Sequence, residues 1–258
     1  MKMRLIVGLV GLLAAAMAVP GCSGGSTVTR KLEFANYTRI DVENAFVVEV
    51  IQGSSFAASV TVSKDLVDYL AVAQVGDLLS IKLVPHHPFT DFTLKRLTAR
   101  AKVTLPALSE VTLSGSSRAT ISGFKSANKF GLLVSGASSV DLDKIETGTA
   151  RFDISGASKV TGDLKATQAE FVVSGASRLE ITGSADTVRF DASGASNLNL
   201  SYFTVQSADA TVTGASQAII DARVKLDLTL SGASRLTFRS NPTMGRLDVS
   251  GASTLKHQ

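Results

Sequence analysis

The ionisable side chains of this 258-residue chain recur in register with one short repeated unit. The unit is Ser-Gly-Ala-Ser or a one-letter variant, and it occurs eight times, with 18 to 21 residues between successive glycines. Three residues after the glycine, the copies carry four cations and no acid. These cations are Arg118, Lys159, Arg178 and Arg235. Such a one-sided basic stripe could contact an acidic polysaccharide or lipid phosphate. The alternative is a face that only keeps the protein soluble.

A second column of the repeat, three residues before the glycine, carries carboxylates. They are Asp153, Asp191 and Asp248. Acid–base catalysis needs such groups clustered on one wall. Asp153 and Asp191 belong to copies two apart, so about 9.6 Å separates them, which is too far to chelate one ion directly. With only three histidines in the chain, we predict a solvated face, with no catalytic site and no metal site.

The single cysteine, Cys22, directly follows an apolar run at residues 5–19, which itself follows the positively charged residues 1–4. A run of about 15 residues suits the core of a secretory signal and is shorter than the roughly 20 residues that span a bilayer. The segment Val-Pro-Gly-Cys ending at Cys22 resembles the bacterial lipobox, in which the cysteine is lipidated and becomes the first residue. The resemblance implies a signal peptide at residues 1–21 and a flexible tether at 22–29. The alternative is an ordinary signal peptide with an incidental cysteine.

The charge balance gives no support for a nucleic-acid partner. The net charge is +4, from 26 basic and 22 acidic residues. Loss of Lys2 and Arg4 with a leader lowers it to +2, and no basic run with interleaved aromatic residues remains. Ser23 stands where an Asp would resemble an inner-membrane retention signal. We expect a lipid-anchored cell-envelope protein, in the outer membrane of a Gram-negative cell, with the membrane as a partner through its lipid and with no cofactor.

The residues around each repeated glycine alternate between apolar and polar types. The positions four and two residues before the glycine, and four residues after it, are apolar in all eight copies. This period-two alternation predicts a half-buried strand on each side of the glycine. Strands that return with matching columns predict an all-β fold, a parallel β-helix-like solenoid of about eight 19–21-residue rungs over residues 106–258.

The glycine and the serine two positions after it predict a corner between these two strands. Glycine is required where the corner needs a positive φ, or where a side chain would clash with the next rung. The serine occurs in every copy and predicts a ladder of hydroxyl groups that satisfies the corner backbone. A serine ridge that binds a ligand is the alternative.

The N-terminal third, residues 30–105, lacks the repeat and is predicted to be a β-rich unit that caps one end of the solenoid. Residues 65–71 fit one or two helical turns with Asp65 as the N-cap. Strands are expected at residues 46–51, 56–62, 78–84 and 100–105.

Three segments that precede the repeats carry a resemblance to a known family. They are residues 46–53 (Phe-Val-Val-Glu-Val-Ile-Gln-Gly), 75–81 (Val-Gly-Asp-Leu-Leu-Ser-Ile) and 103–108 (Val-Thr-Leu-Pro-Ala-Leu). In this order, and running into the repeats, they resemble the bacterial envelope family called putative auto-transporter adhesin, head GIN domain, over about residues 30–255. The resemblance implies a β-helical protein that is lipidated or secreted and that takes part in adhesion. It implies no catalytic or ligand-binding residues.

Three functions are compatible with these patterns. The first is a lipid-anchored, non-catalytic envelope protein that serves as a binding, adhesion or structural module, with a polysaccharide as its partner. The second is a carbohydrate-active β-helix enzyme that acts on envelope or extracellular polysaccharide, which requires a cleft with clustered acids. The third is an adaptor that presents a binding face to another envelope protein. We favour a non-catalytic protein, because the columns keep the acids apart.

Overall fold

The computed structural model describes residues 26–84 and 98–258. Strands account for 69% of the structure and helix for 3%. The strands join into one 18-stranded sheet that winds into a β-solenoid of about seven turns. The predicted all-β solenoid is confirmed.

Seven strands and a short helix precede the repeats. The strands are β1 (Thr27–Leu32), β2 (Arg39–Glu43), β3 (Val47–Gln52), β4 (Ala57–Ser63), β5 (Leu70–Val75), β6 (Leu78–Leu83) and β7 (Ala99–Leu105). The four strands that the sequence predicts here are confirmed as β3, β4, β6 and β7. The helix is a 3-10 helix, Lys64–Tyr69, whose N-cap is Ser63 rather than Asp65, and the Ser63 side chain makes no capping hydrogen bond.

The repeats form the remaining eleven strands. They are β8 (Glu110–Leu113), β9 (Arg118–Ser122), β10 (Lys129–Val134), β11 (Ser139–Ile154), β12 (Lys159–Val173), β13 (Arg178–Ala192), β14 (Asn197–Val212), β15 (Gln217–Leu230), β16 (Arg235–Arg239), β17 (Thr243–Val249) and β18 (Thr254–His257). Neighbouring rungs pair in parallel with their columns in register, as in Phe152, Phe171 and Phe190.

Each rung of the solenoid has three faces. The first face comprises the strand segments before the corner glycine, and the second face comprises those directly after it. The third face comprises the short segments that return the chain to the first face. In β12, for example, residues 159–163 lie on the second face, residues 164–166 on the third, and residues 168–173 on the first face of the next rung.

The corner glycines are required for both of the predicted reasons. All eight have φ between +66° and +80°, a region that residues with a side chain rarely adopt. At Gly175, a Cβ atom would also lie 2.5 Å from the carbonyl oxygen of Gly156 in the preceding rung. That oxygen accepts a 2.8 Å hydrogen bond from the backbone N–H of Ala176, so the corners stack too closely for any side chain.

The solenoid starts earlier in the chain than the repeats indicate. β2 pairs in parallel with β8, and β3 pairs in parallel with β9, so β2 and β3 form a further rung. Asn44 and Ala45 form its corner with φ of 67° and 63°, and asparagine tolerates this left-handed region. Phe46, which is fully buried, takes the place of the corner serine. Parallel pairing therefore extends before residue 106, into the segment that the sequence analysis assigned to the cap.

The N-terminal end of the stack is covered by antiparallel strands. β6 and β7 pair in parallel with β2 and β3 on their outer side. β5 then pairs with β6, β4 with β7, and β1 with β4, all antiparallel. β1 includes residues 27–29, and Thr29 Oγ1 lies 2.8 Å from Thr61 Oγ1. The expected tether is therefore wrong for residues 27–29, because their backbone is paired with β4.

Candidate functional site

The four cations of the predicted stripe lie on the second face, each at the first position of its strand. The register aligns Arg118 with Ser139, Ser139 with Lys159, and Lys159 with Arg178. Lys159 and Arg178 therefore occupy adjacent rungs, about 4.8 Å apart along the stack. Arg235 continues the same column three rungs beyond Arg178. All four side chains are exposed, so the fold brings them into one straight column.

These four cations have no acidic partner in the described part of the chain. Arg118 Nε instead donates a 3.1 Å hydrogen bond to Ser139 Oγ. Two acids of the second face, Asp141 and Glu180, lie two residues further along their strands. Because its cations have no acidic partner, the stripe keeps a positive charge that an anionic ligand could approach.

The outer column of the first face, five residues before each glycine, differs from the stripe because most of its charges pair with neighbouring side chains. Arg151 Nη1 lies 2.6 Å from Glu170 Oε2, and Arg246 Nη2 lies 2.8 Å from Asp209 Oδ1. Asp227 accepts hydrogen bonds from Lys225 Nζ and from the backbone N–H of Arg246. These two donors lower the pKa of Asp227 below its ordinary value. Most of the charges in this column are therefore neutralised by neighbours, and Arg189 is its one cation without an acidic partner among the described residues.

The carboxylates three residues before the glycine remain apart in the structure. Val172 lies between Asp153 and Asp191 in the register. Across residues 26–84 and 98–258, no cluster of three or more His, Cys, Asp or Glu side chains could hold a metal ion. The predicted spacing of this column is confirmed.

The corner serines form a buried ladder. Seven of them, from Ser117 to Ser234, are at most 2% exposed. Ser196 Oγ lies 3.2 Å from Ser216 Oγ and donates to the carbonyl oxygen of Val173. A buried hydroxyl is not accessible to a ligand, so the structural interpretation of this column is correct and the binding ridge is wrong.

A recess of about 480 Å³ opens where the second face meets the third, near the C-terminal end of the solenoid. It results from a mismatch between β14 and β15. Leu200 pairs with Ile220, but the next pair is Thr204 with Asp221, so residues 201–203 of β14 have no counterpart on β15. This irregularity carries Tyr202 to the rim, where it is 72% exposed, while Phe203 remains fully buried in the core.

Asp221 organises the floor of this recess. It is 7% exposed and accepts hydrogen bonds from three side chains on different segments: Arg223 Nη2 at 2.9 Å, Ser240 Oγ at 2.5 Å and Thr204 Oγ1 at 3.4 Å. These hydrogen bonds offset the desolvation penalty of burying a carboxylate. Asp221 is therefore a structural anion that holds Arg223 and Ser240 in place.

Arg239 and Tyr202 form the wall of the recess. Arg239 Nη1 donates a 2.9 Å hydrogen bond to the carbonyl oxygen of Ser201, two rungs away. Its guanidinium carbon lies 5.9 Å from the centre of the Tyr202 ring, within the range of a cation–π contact. This bond and this contact position the guanidinium beside an exposed aromatic ring.

Sequence reasoning did not find this recess. The signal for it was present, since the glycine spacing changes from 20 residues to 18 between the two rungs involved, and Tyr202 interrupts their alternation. The depth of the recess depends on the register in which two rungs of unequal length pair. The glycine spacing does not predict this register.

Cys22 and the expected signal peptide lie outside the described residues, because they precede residue 26. Two of the three histidines of the chain, His86 and His87, also lie outside them, within residues 85–97. In the part of the chain that the structure describes, no helix has the length and apolar character to cross a bilayer.

A family model matches this chain over residues 36–242, which covers most of the solenoid and part of its cap. The description of the family is "Putative auto-transporter adhesin, head GIN domain". The chain belongs to this family. The resemblance seen in the three N-terminal segments is thereby confirmed. A separate search of the curated proteins found no match to the chain.

Solved structures share the fold of this family member at low sequence identity. An adhesin from Parabacteroides distasonis, described as putative, has 17% identity and a TM-score of 0.79, over 91% of this chain and 98% of its own. One from Parabacteroides merdae has the same identity and TM-score, over 91% and 97%. A protein from P. distasonis described as a putative lipid-binding protein has 18% identity and a TM-score of 0.82, over 91% and 97%. At these identities, the likeness establishes the fold alone.

Proposed function

We propose that this protein is a non-catalytic binding module of the cell envelope, held by lipid at Cys22, and that it binds acidic polysaccharide through the basic stripe of Arg118, Lys159, Arg178 and Arg235. The observation that carries this proposal is the straight column of exposed cations without acidic partners on the second face. A polyanionic chain lying along that column can neutralise several cations at once and release their counterions.

Membership of an adhesin family supports a binding role at the cell surface or envelope. The difference between the two faces supports the choice of the second face. All four cations of its stripe are unpaired, whereas two of the three cations in the outer column of the first face, Arg151 and Arg246, are engaged by acids. A face that only keeps the protein soluble does not require unpaired cations to be stacked in one column.

The enzyme alternative lacks support from the geometry of the described residues. Hydrolysis of a glycosidic bond generally uses two carboxyl groups that flank the bond, roughly 5 to 10 Å apart. The recess at Tyr202 is lined by one carboxylate, Asp221, which is already held by Arg223 and Ser240. This arrangement favours binding over cleavage.

The experiment measures heparin binding by the full chain before and after the four cations of the stripe are replaced by glutamine. We expect elution from heparin at clearly lower salt, and a shallower dependence of affinity on salt, because fewer counterions are released. A matched control replaces Arg30, Lys31, Lys64 and Lys129, which are exposed cations outside the column, and changes the net charge equally. The proposal fails if the stripe variant binds heparin like the unmodified protein, or if the control variant loses as much affinity.

Phosphate-rich lipid is the competing anionic ligand of this surface. Vesicles containing phosphatidylglycerol provide a direct comparison with heparin for the same variants. Stripe-dependent binding to the vesicles without stripe-dependent binding to heparin would replace the polysaccharide with a membrane surface.

A further inference from the structure

We propose that the recess between β14, β15 and β16 binds one carboxylate-bearing sugar unit of such a polysaccharide, with Arg239 pairing with the carboxylate and Tyr202 stacking against the sugar ring. This subsite rests on the proposed function, but it lies apart from the basic stripe. Arg235 of the stripe and Arg239 of the recess stand at opposite ends of β16, about 13 Å apart.

Arg239 is positioned to bind an anion through two parallel hydrogen bonds. Its Nη1 atom is fixed by the carbonyl oxygen of Ser201, and a guanidinium has five N–H donors. No other hydrogen bond or ion pair engages the Arg239 side chain within the described residues. The planar fork of a guanidinium matches the two oxygens of a carboxylate, and fixing it in advance lowers the entropy cost of binding.

Tyr202 supplies the flat surface that a sugar ring needs. It is 72% exposed, and it is the only aromatic residue among the exposed large hydrophobic residues of the described structure. A tyrosine has an apolar ring face and a polar hydroxyl tip, which suits a ligand with both C–H and O–H groups. The guanidinium of Arg239 lies over this ring at cation–π distance.

The electrostatics of the recess favour an anionic sugar over a neutral one. Two arginines and one aspartate are among the side chains that line it, and because Asp221 pairs with Arg223, the positive charge left for a ligand is that of Arg239. The hydroxyl groups of Ser201 and Thr204 provide further polar partners on the same wall. The volume of about 480 Å³ lies within the range of small-molecule sites, roughly 300 to 1,000 Å³.

The test measures binding of digalacturonate to the full chain by saturation-transfer NMR, with neutral digalactose as the matched ligand. We expect saturable binding of digalacturonate and none of digalactose at the same concentrations. Tyr202→Ala and Arg239→Gln are each expected to raise the Kd at least tenfold, and Tyr202→Phe to leave it within twofold, because it keeps the ring. Because Tyr202 is mostly exposed, its replacement leaves the core of the fold intact.

Arg235→Gln is the matched control on the same strand. It is expected to weaken heparin binding and to leave the Kd for digalacturonate unchanged, whereas Tyr202→Ala is expected to raise the Kd for digalacturonate. The subsite is overturned if digalactose binds equally well, or if Tyr202→Ala leaves the Kd for digalacturonate unchanged. It is also overturned if inorganic phosphate binds more tightly than digalacturonate and independently of Tyr202. If heparin binding were unchanged in the stripe variant, the proposed role of the stripe would be overturned, and the proposal for this subsite would be unaffected.

Discussion

Ser196 Oγ lies 3.2 Å from Ser216 Oγ on the next rung, and both residues are at most 2% exposed. Ser196 Oγ also donates to the carbonyl oxygen of Val173. Ser158 occupies the same corner position two rungs earlier, but its hydroxyl has no hydrogen-bond partner in the described structure. One column of identical residues therefore contains both a satisfied and an unsatisfied buried hydroxyl.

This difference predicts opposite effects of the same substitution. Ser196→Ala removes the hydrogen bonds of this hydroxyl to Val173 and Ser216, so it is expected to lower the free energy of unfolding by about 1 kcal/mol. Ser158→Ala removes an unsatisfied group, so it is expected to be neutral or stabilising. Urea denaturation followed by circular dichroism measures both, and a loss at Ser158 equal to that at Ser196 would contradict the prediction.

Replacing a corner glycine with alanine is predicted to lower the stability of the fold more than the same replacement at an ordinary turn. Gly175→Ala must adopt φ of +73° and place Cβ 2.5 Å from the carbonyl oxygen of Gly156. Gly76 has φ of +60°, but a Cβ atom added there would have no neighbour within 4 Å. We expect Gly76→Ala to cost about 1 kcal/mol from conformation alone, and Gly175→Ala to cost several times more. Melting temperatures compare them, and equal shifts would show that rung contact is not limiting.

Replacement of Phe46 at the first corner is predicted to destabilise the fold. It is fully buried where all later corners carry serine, and its backbone N–H donates to Ser117 Oγ at 3.3 Å. Phe46→Ser gives this corner the residue of the repeats but leaves a cavity beneath the cap. We expect a loss of about 3–5 kcal/mol, measured by denaturant unfolding. A neutral result would mean that the cap closes over the smaller residue.

The hydrogen bonds to Asp227 predict a pH effect. Its folded-state pKa lies below the ordinary value, first because Lys225 Nζ donates to it and then because the backbone N–H of Arg246 does. Since a lowered carboxyl pKa stabilises the fold above the unfolded pKa, this contribution is lost as the pH falls through the folded pKa. Lys225→Met is expected to raise the pKa of Asp227 towards its ordinary value.

Carboxyl carbon NMR titration measures this pKa directly. Lys125→Met serves as the control, because Lys125 lowers the pKa of Glu146 in the same way. The control is expected to raise the pKa of Glu146 and to leave that of Asp227 unchanged. If Lys225→Met left the pKa of Asp227 unchanged, the pairing of Asp227 with Lys225 would be contradicted.

The proposed lipidation of Cys22 predicts that the protein loses its membrane anchor when this cysteine is replaced. In a bacterial host, Cys22→Ser is expected to move the protein from the detergent phase to the aqueous phase on detergent phase separation, because no lipid can be attached. Ser23→Ala is the matched control and is expected to stay in the detergent phase. Retention of the Cys22→Ser variant in the detergent phase would exclude lipidation at this residue as the anchor.

The rung at Asn44 shows how far the sequence pattern could reach. Ile40, Val42, Val48 and Val50 occupy the same apolar positions around Asn44 as the corresponding residues do around each repeated glycine, and all four are buried. The rung escaped prediction because Asn-Ala-Phe replaces the Gly-Ala-Ser that marks the other corners. A search by alternation, with asparagine allowed at the left-handed position, would have found it.

The sequence by itself determined the solenoid, its corners and the line of the basic stripe. Each of these depends on periodicity along the chain, and parallel stacking carries that periodicity unchanged into space. Only the tertiary structure decided which charges are neutralised, since the pairing of Arg246 with Asp209 joins residues two rungs apart. It also decided the recess at Tyr202, because a mismatch between rungs becomes a cavity only when the two rungs are stacked.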